Sequence, residues 1–194
     1  MREIEILVKV LSKKKVLEKK LRKVSKFVGD ILVEDIYYYD PLRKGKYFRN
    51  SGQFSESFRI RKKSNKVYIT HKHDIFDRRG KWLYSDELET AIGDFHTAKK
   101  IIEALGMKKL IALKMLKKTF KTQKYEIVLE SVRSLGLFLE VEALRVKAGE
   151  TVAAVKKRIW GFIESLDAKT SKELGVGKAE LALMAKNHHW QKSL

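Results

Sequence analysis

Apolar and polar residues alternate over Arg2–Val10, with Ile4, Ile6, Val8 and Val10 on one side and Glu3, Glu5, Leu7 and Lys9 on the other. A period of two marks a strand with one buried face. The pattern returns in Ile31–Asp40, Glu56–Lys62, Lys66–His73, Lys81–Glu89, Lys109–Lys121, Lys124–Val132 and Leu137–Val146. Elsewhere the apolar spacing is three and four, which predicts helices. Leu17, Leu21, Val24 and Phe27/Val28 place one over Lys13–Val28. Phe95, Ala98, Ile101/Ile102 and Leu105 place a second over Asp94–Leu105, stopped by Gly106. Val152, Val155, Ile159 and Phe162/Ile163 place a third over Glu150–Leu166, and Lys178–Asn187 reads as a terminal helix. Leu42–Gln53 is polar and contains glycines, so it reads as a mobile loop.

Strands that alternate, rather than run apolar, belong to antiparallel sheets with two unlike faces. A sheet of about eight such strands can close on itself and so remove its edges. The expected fold is therefore α+β: an eight-stranded closed antiparallel barrel with flanking helices, its polar face inward. No linker divides the chain, so residues 1–194 are expected to form a single domain, with 170–194 as C-terminal helix and tail.

Composition narrows the function classes. The 194 residues are 44% hydrophobic, enough for a packed core, and contain no cysteine. Disulfides, cysteine-ligated zinc and thiol nucleophiles are excluded, and a reducing cytoplasm fits. No apolar run approaches the roughly 18 residues of a membrane span, and the opening strand does not read as a signal peptide. The expected location is cytoplasmic, with no membrane partner. Lys and Arg number 43 against 24 Asp and Glu, a net +19, which calls for anionic partners. A charged fraction of 35% with one proline points to a thermophilic source.

Against that basic background, three same-face acidic pairs stand out: Glu3/Glu5, Glu87/Glu89 and Glu140/Glu142. One such pair is usually a solvated face. Three of them, together with the same-face pair Arg59/Arg61, point to a ligand. Lys72 shares a face with Tyr68 and Thr70, Lys114 and Lys118 are in phase, and Glu130 lies in phase with Val128. Carboxylates supply hard oxygen ligands for Mg²⁺ or Mn²⁺. Arg and Lys neutralise phosphate, Arg with a two-pronged grip. The Lys13–Lys26 run reads as a solvated helix face.

The Glu3-Ile4-Glu5 strand, Tyr38-Tyr39-Asp40, Phe58-Arg59-Ile60-Arg61, Thr70-His71-Lys72, Glu87-Leu88-Glu89, Leu129-Glu130-Ser131-Val132 and Leu135–Glu142 together resemble the CYTH superfamily, the triphosphate tunnel metalloenzymes. The likeness runs from Glu3 to about Val146. It implies Mg²⁺ or Mn²⁺ on Glu3, Glu5, Glu130, Glu140 and Glu142. It implies triphosphate binding by Arg59, Arg61, Lys72 and Lys114, with Lys9, Lys118 and Lys186 as further cations. Glu87 and Glu89 would orient the basic residues or water, giving a catalytic set of Glu87, Glu89 and Lys72. Leu7 stands where the family has a lysine, Glu130 where an aspartate is usual, and Lys114–Lys118 where Lys-x-Arg is usual. The implied activity is a metal-dependent triphosphatase, with a class IV adenylyl cyclase as the same-fold alternative. The implied partner is ATP, tripolyphosphate or thiamine triphosphate, acted on by a monomer or homodimer. A polyphosphate-, nucleotide- or RNA-binding protein without turnover is the alternative from another class.

Overall fold

The computed structural model describes residues 2–186, so the final residues of the expected tail lie outside it. In chain order the elements are β1 Arg2–Glu3, β2 Glu5–Lys9, α1 Lys14–Val24, β3 Lys26–Tyr39, α2 Lys44–Tyr47 and β4 Glu56–Lys63. They continue with β5 Lys66–Phe76, β6 Trp82–Ile92, α3 Phe95–Ala104, β7 Lys108–Lys121, β8 Tyr125–Val132, β9 Gly136–Ala143, α4 Val152–Ser165 and α5 Lys178–Lys186. The α+β class is as expected. The strand order is β1-β6-β5-β4-β3-β7-β8-β9-β2, a line with two ends. The expected closed barrel is thus corrected to an open sheet. The opening strand is interrupted at Ile4, whose carbonyl accepts the Ala143 N–H at 3.1 Å, and its two pieces are the ends of the order.

The chain divides into two compact units, one comprising 32–114 and the segment from 176, the other 2–31 and 115–175. In the first, β4 and β5 form a hairpin in which Lys63 pairs with Lys66. The turn between them is Ser64-Asn65, with Ser64 in the left-handed region at φ 54°. One face of this sheet buries Ile36, Tyr38, Ile60 and Val67 against Ala98 and Ile102 of α3. Each such side chain contributes roughly 1.5–3 kcal/mol on leaving water. Helix α3 is started by Asp94, whose carboxylate accepts the Thr97 N–H at 2.6 Å, and stopped at Gly106, φ 89°.

The segment read as a mobile loop has regular structure. Asp40 caps a 3₁₀ turn over Pro41–Arg43, α2 follows, and Phe48 bridges to Phe54. Tyr39, Tyr47 and Phe54 surround Phe48, with ring centroids 6.1, 6.5 and 5.4 Å away. Those aromatics supply apolar burial that the polar composition of the segment hides.

In the second unit, Ile6, Val8, Phe120, Ile127, Leu129, Leu139 and Val141 are wholly buried on one sheet face. Val155, Ile159 and Ile163 of α4 are buried too, and α4 packs on β2 and β9. Helix α1 buries Leu17 and Leu21 and is tied to the sheet by Lys14–Ser131 and Glu18–Lys118 hydrogen bonds, both 2.8 Å. It ends at Val24, earlier than the spacing predicts. Ser25 is extended and returns both its N–H and its Oγ–H to the Leu21 carbonyl. Phe27 therefore belongs to β3, where its ring lies 5.3 Å from that of Phe120.

Candidate functional site

In the first unit the face opposite the core is polar. The ladders align Asp35, Arg61 and Tyr68 in one row, Tyr37, Arg59, Thr70 and Glu89 in the next, and Ser57, Lys72 and Glu87 in a third. Arg61 donates from Nε and Nη2 to the two Asp35 oxygens at 2.8 and 2.7 Å. Arg59 donates from Nη1 to the Tyr37 hydroxyl at 3.3 Å, and its guanidinium lies 4.0 Å from Asp35 and 3.8 Å from Glu87. Lys72 Nζ sits 2.7 Å from Glu87 Oε2, and the Thr70 hydroxyl donates to Glu89 at 2.8 Å. Burial presses on the charge of both arginines. The fields of Tyr37, Asp35 and Glu87 outweigh it at Arg59, and at Arg61 the field and hydrogen bonds of Asp35, with Tyr37, outweigh both burial and the neighbouring Arg59, so both pKa values are raised.

One step further along β5, Asp74 accepts from the Ser85 hydroxyl at 2.6 Å and from Trp82 Nε1 at 3.3 Å. Burial still raises its pKa. Glu180 of α5, only 6% exposed, accepts the Phe54 N–H at 2.8 Å and the Gly177 N–H. Burial first, then repulsion from Asp74, pushes its pKa up to about 7.

In the second unit the polar face carries the carboxylates. Glu5 stands opposite Glu142, Glu142 opposite Glu126, and Glu126 opposite Lys121. The adjoining row is Leu7, Glu140, Val128 and Thr119, and the next is Lys9, Phe138, Glu130 and Lys117. Glu130 is wholly buried, with Lys117 Nζ 2.6 Å from its Oε1. Lys121 lies 2.8 Å from Glu126.

The sequence-derived candidates thus fall into two groups. Arg59, Arg61, Lys72, Glu87 and Glu89 share the basic face of the first unit. Glu5, Glu130, Glu140, Glu142 and Lys9 share the acidic face of the second, and Glu3 lies half-buried in β1. Lys114 and Lys118 join neither face. Lys114 pairs with Glu34 at 3.5 Å with its side chain 63% exposed, and Lys118 pairs with Glu18 on α1 at 2.8 Å. The cation beside Glu130 is Lys117. Lys186 ends α5, exposed. Asp35, Asp74, Lys117, Glu126 and Glu180 were not singled out by sequence. Glu126 had a readable signal, being in phase with Glu130 on one strand.

Among the described residues, no group of three or more His, Asp or Glu side chains is drawn together closely enough to hold a metal ion. The donor set is nonetheless of a kind that suits one: Glu5, Glu142 and Glu126 stand opposite one another across three strands. Hard oxygens of this kind suit Mg²⁺ or Mn²⁺.

Residues 1–174 match the CYTH domain family, so this chain belongs to that family. A protein of Methanocaldococcus jannaschii, provisionally named an adenylate cyclase, is 31% identical over 140 residues, 72% of this chain and 75% of that one. A solved structure from Pyrococcus horikoshii superposes with a TM-score of 0.74 at 25% identity, covering 92% of this chain and 98% of its own. A Hippeastrum protein, described as an adenylyl cyclase candidate with dominant triphosphatase activity, shares the fold at a TM-score of 0.64. Its identity is 14%, over 98% of this chain and 99% of its own.

Proposed function

We propose that the chain acts as one domain, a metal-dependent enzyme that hydrolyses a triphosphate. The observation that carries this reading is the charge arrangement on the two polar faces. On the basic face Arg59, Arg61 and Lys72 are matched by Asp35, Glu87 and Glu89, so the cluster has no net charge to offer a polyanion. Arg59 and Lys72 serve as donors to phosphate oxygens, held in place by carboxylates. The acidic face carries Glu5, Glu126, Glu130, Glu140 and Glu142, hard oxygen donors of the kind that hold a divalent ion. When bound, that ion supplies charge neutralisation and polarisation of phosphate oxygens.

The chain's own residues then have distinct work. Arg59 and Lys72 bind phosphate oxygens. Glu87 orients Lys72. Glu89, tied to the neutral Thr70 hydroxyl, is placed to orient the attacking water. The water oxygen bonds to the terminal phosphorus as the bridging P–O bond breaks, the leaving diphosphate takes the bonding electron pair, and the proton given up by the water passes to solvent.

The name given to the M. jannaschii relative favours a second reading, in which the ribose hydroxyl of ATP attacks and pyrophosphate leaves. Product analysis separates the two. Hydrolysis gives ADP and phosphate from ATP and phosphate from tripolyphosphate. Cyclisation gives cyclic AMP and pyrophosphate, with nothing from tripolyphosphate. No product from ATP, tripolyphosphate or thiamine triphosphate with either Mg²⁺ or Mn²⁺ overturns both.

A further inference from the structure

The two arginines of Arg59-Ile60-Arg61 look equivalent in sequence, but their surroundings differ. Arg61 is occupied. Its Nε–Nη2 edge meets both oxygens of a carboxylate that is 1% exposed, the two-pronged geometry in which arginine binds carboxylate most strongly. Arg59 is buried as deeply, with 9% of its surface exposed, yet its contacts are longer: 3.3 Å to Tyr37, 3.8 Å to Glu87 and 4.0 Å to Asp35. Its Nε is buried with no hydrogen-bond partner. A buried guanidinium N–H without an acceptor is costly and rare in native proteins. Such a donor is expected where a ligand supplies the missing acceptor.

We propose that Asp35 is the positioning residue of this face. It ties Arg61 along its Nε–Nη2 edge and so leaves Arg59 as the guanidinium that binds the phosphate anion. Tyr37 and Glu87 flank Arg59 and set its plane, but neither competes at short range for its Nε–H. Arg61 contributes charge and packing from its tied position. The proposal rests on the triphosphate-binding reading above and refines it to a division of labour between two adjacent arginines. It also accounts for an aspartate buried on β3 between Val33 and Tyr37 on the same face: without Asp35, Glu87 alone would face two adjacent guanidinium groups.

The direct test uses the wild-type chain. Arginine Nε–Hε signals are followed by ¹⁵N NMR during titration with tripolyphosphate, after assignment with Arg59→Lys and Arg61→Lys variants. The Arg59 signal moves on binding, and the Arg61 signal, already committed to Asp35, stays. Equal movement of both, or movement of Arg61 alone, overturns the proposal.

Calorimetric affinity for tripolyphosphate provides the second arm. Arg59→Gln weakens binding about a hundredfold. Asp35→Asn and Arg61→Gln each weaken it about tenfold or less, and the double variant is no worse than either, because the two residues act as one unit. A structural role alone would lower stability without this pattern in affinity. Arg61→Gln as damaging as Arg59→Gln, or additive effects in the double variant, overturns the assignment. If the wild type binds tripolyphosphate but never turns it over, the enzymatic reading fails while the NMR pattern still tests Asp35. If it binds none, both fail.

Discussion

Lys117 Nζ lies 2.6 Å from Glu130 Oε1, and the Glu130 side chain is wholly withdrawn from solvent. Breaking a buried ion pair by removing one partner strands the other, at a cost of about 3–5 kcal/mol. Lys117→Met should therefore lower the denaturation midpoint sharply and also weaken triphosphate turnover. Its neighbour Lys118 meets Glu18 on α1, a pair whose side chains are each 17% exposed. Lys118→Met should cost about 1 kcal/mol and leave phosphate release unchanged. Denaturant titration and initial rates on the two variants check this contrast.

The row Glu5, Glu142, Glu126 sets carboxylates opposite one another across three strands. Glu142→Gln is expected to lose most of the wild type's thermal stabilisation by Mn²⁺, and most of its activity. Melting curves with and without Mn²⁺, beside initial rates, check this, and undiminished stabilisation by the ion would remove Glu142 from the ligand set.

Glu180 gives a pH signature. Its pKa rises from 4.5 to about 7 on folding, chiefly through burial. A carboxyl raised in this way contributes stability that is fully present below pH 4.5 and is lost as the pH climbs through about 7, on the order of 3 kcal/mol in all. Glu180→Gln cannot ionise, but it gives up one oxygen that accepts a backbone N–H, a loss of about 1 kcal/mol. The variant should be less stable than the wild type at pH 5 and no less stable at pH 8. Parallel stability curves across that range would contradict the assignment.

The alternating strands were legible because each buries one face, and β6, β8 and β9 begin and end within a few residues of the ranges the alternation predicts. The basic face was legible for the same reason: Arg59, Arg61, Lys72, Glu87 and Glu89 keep strict period two along β4, β5 and β6. Lys117 was not. Along β7 the buried positions change parity, from Leu113 and Met115 to Phe120, so no single phase relates its lysines to a face. Lys114 and Lys118 agree with each other and disagree with Glu130. Asp35 was hidden in a run of apolar and aromatic residues, and only the pairing of β3 with β4 brings it opposite Arg61. The end of α1 was misplaced because Phe27 and Val28 continue the helical spacing, whereas Ser25 closes the last turn onto Leu21 and starts β3.

The central claim is metal-dependent cleavage of a triphosphate. Its most direct test is phosphate release from tripolyphosphate with Mg²⁺ or Mn²⁺, by the wild type and by the Glu140→Ala/Glu142→Ala double variant. The account predicts release by the wild type only when a divalent ion is added, and loss of at least about a hundredfold in the variant. Equal release by both proteins would contradict it, as would release by the wild type in excess chelator.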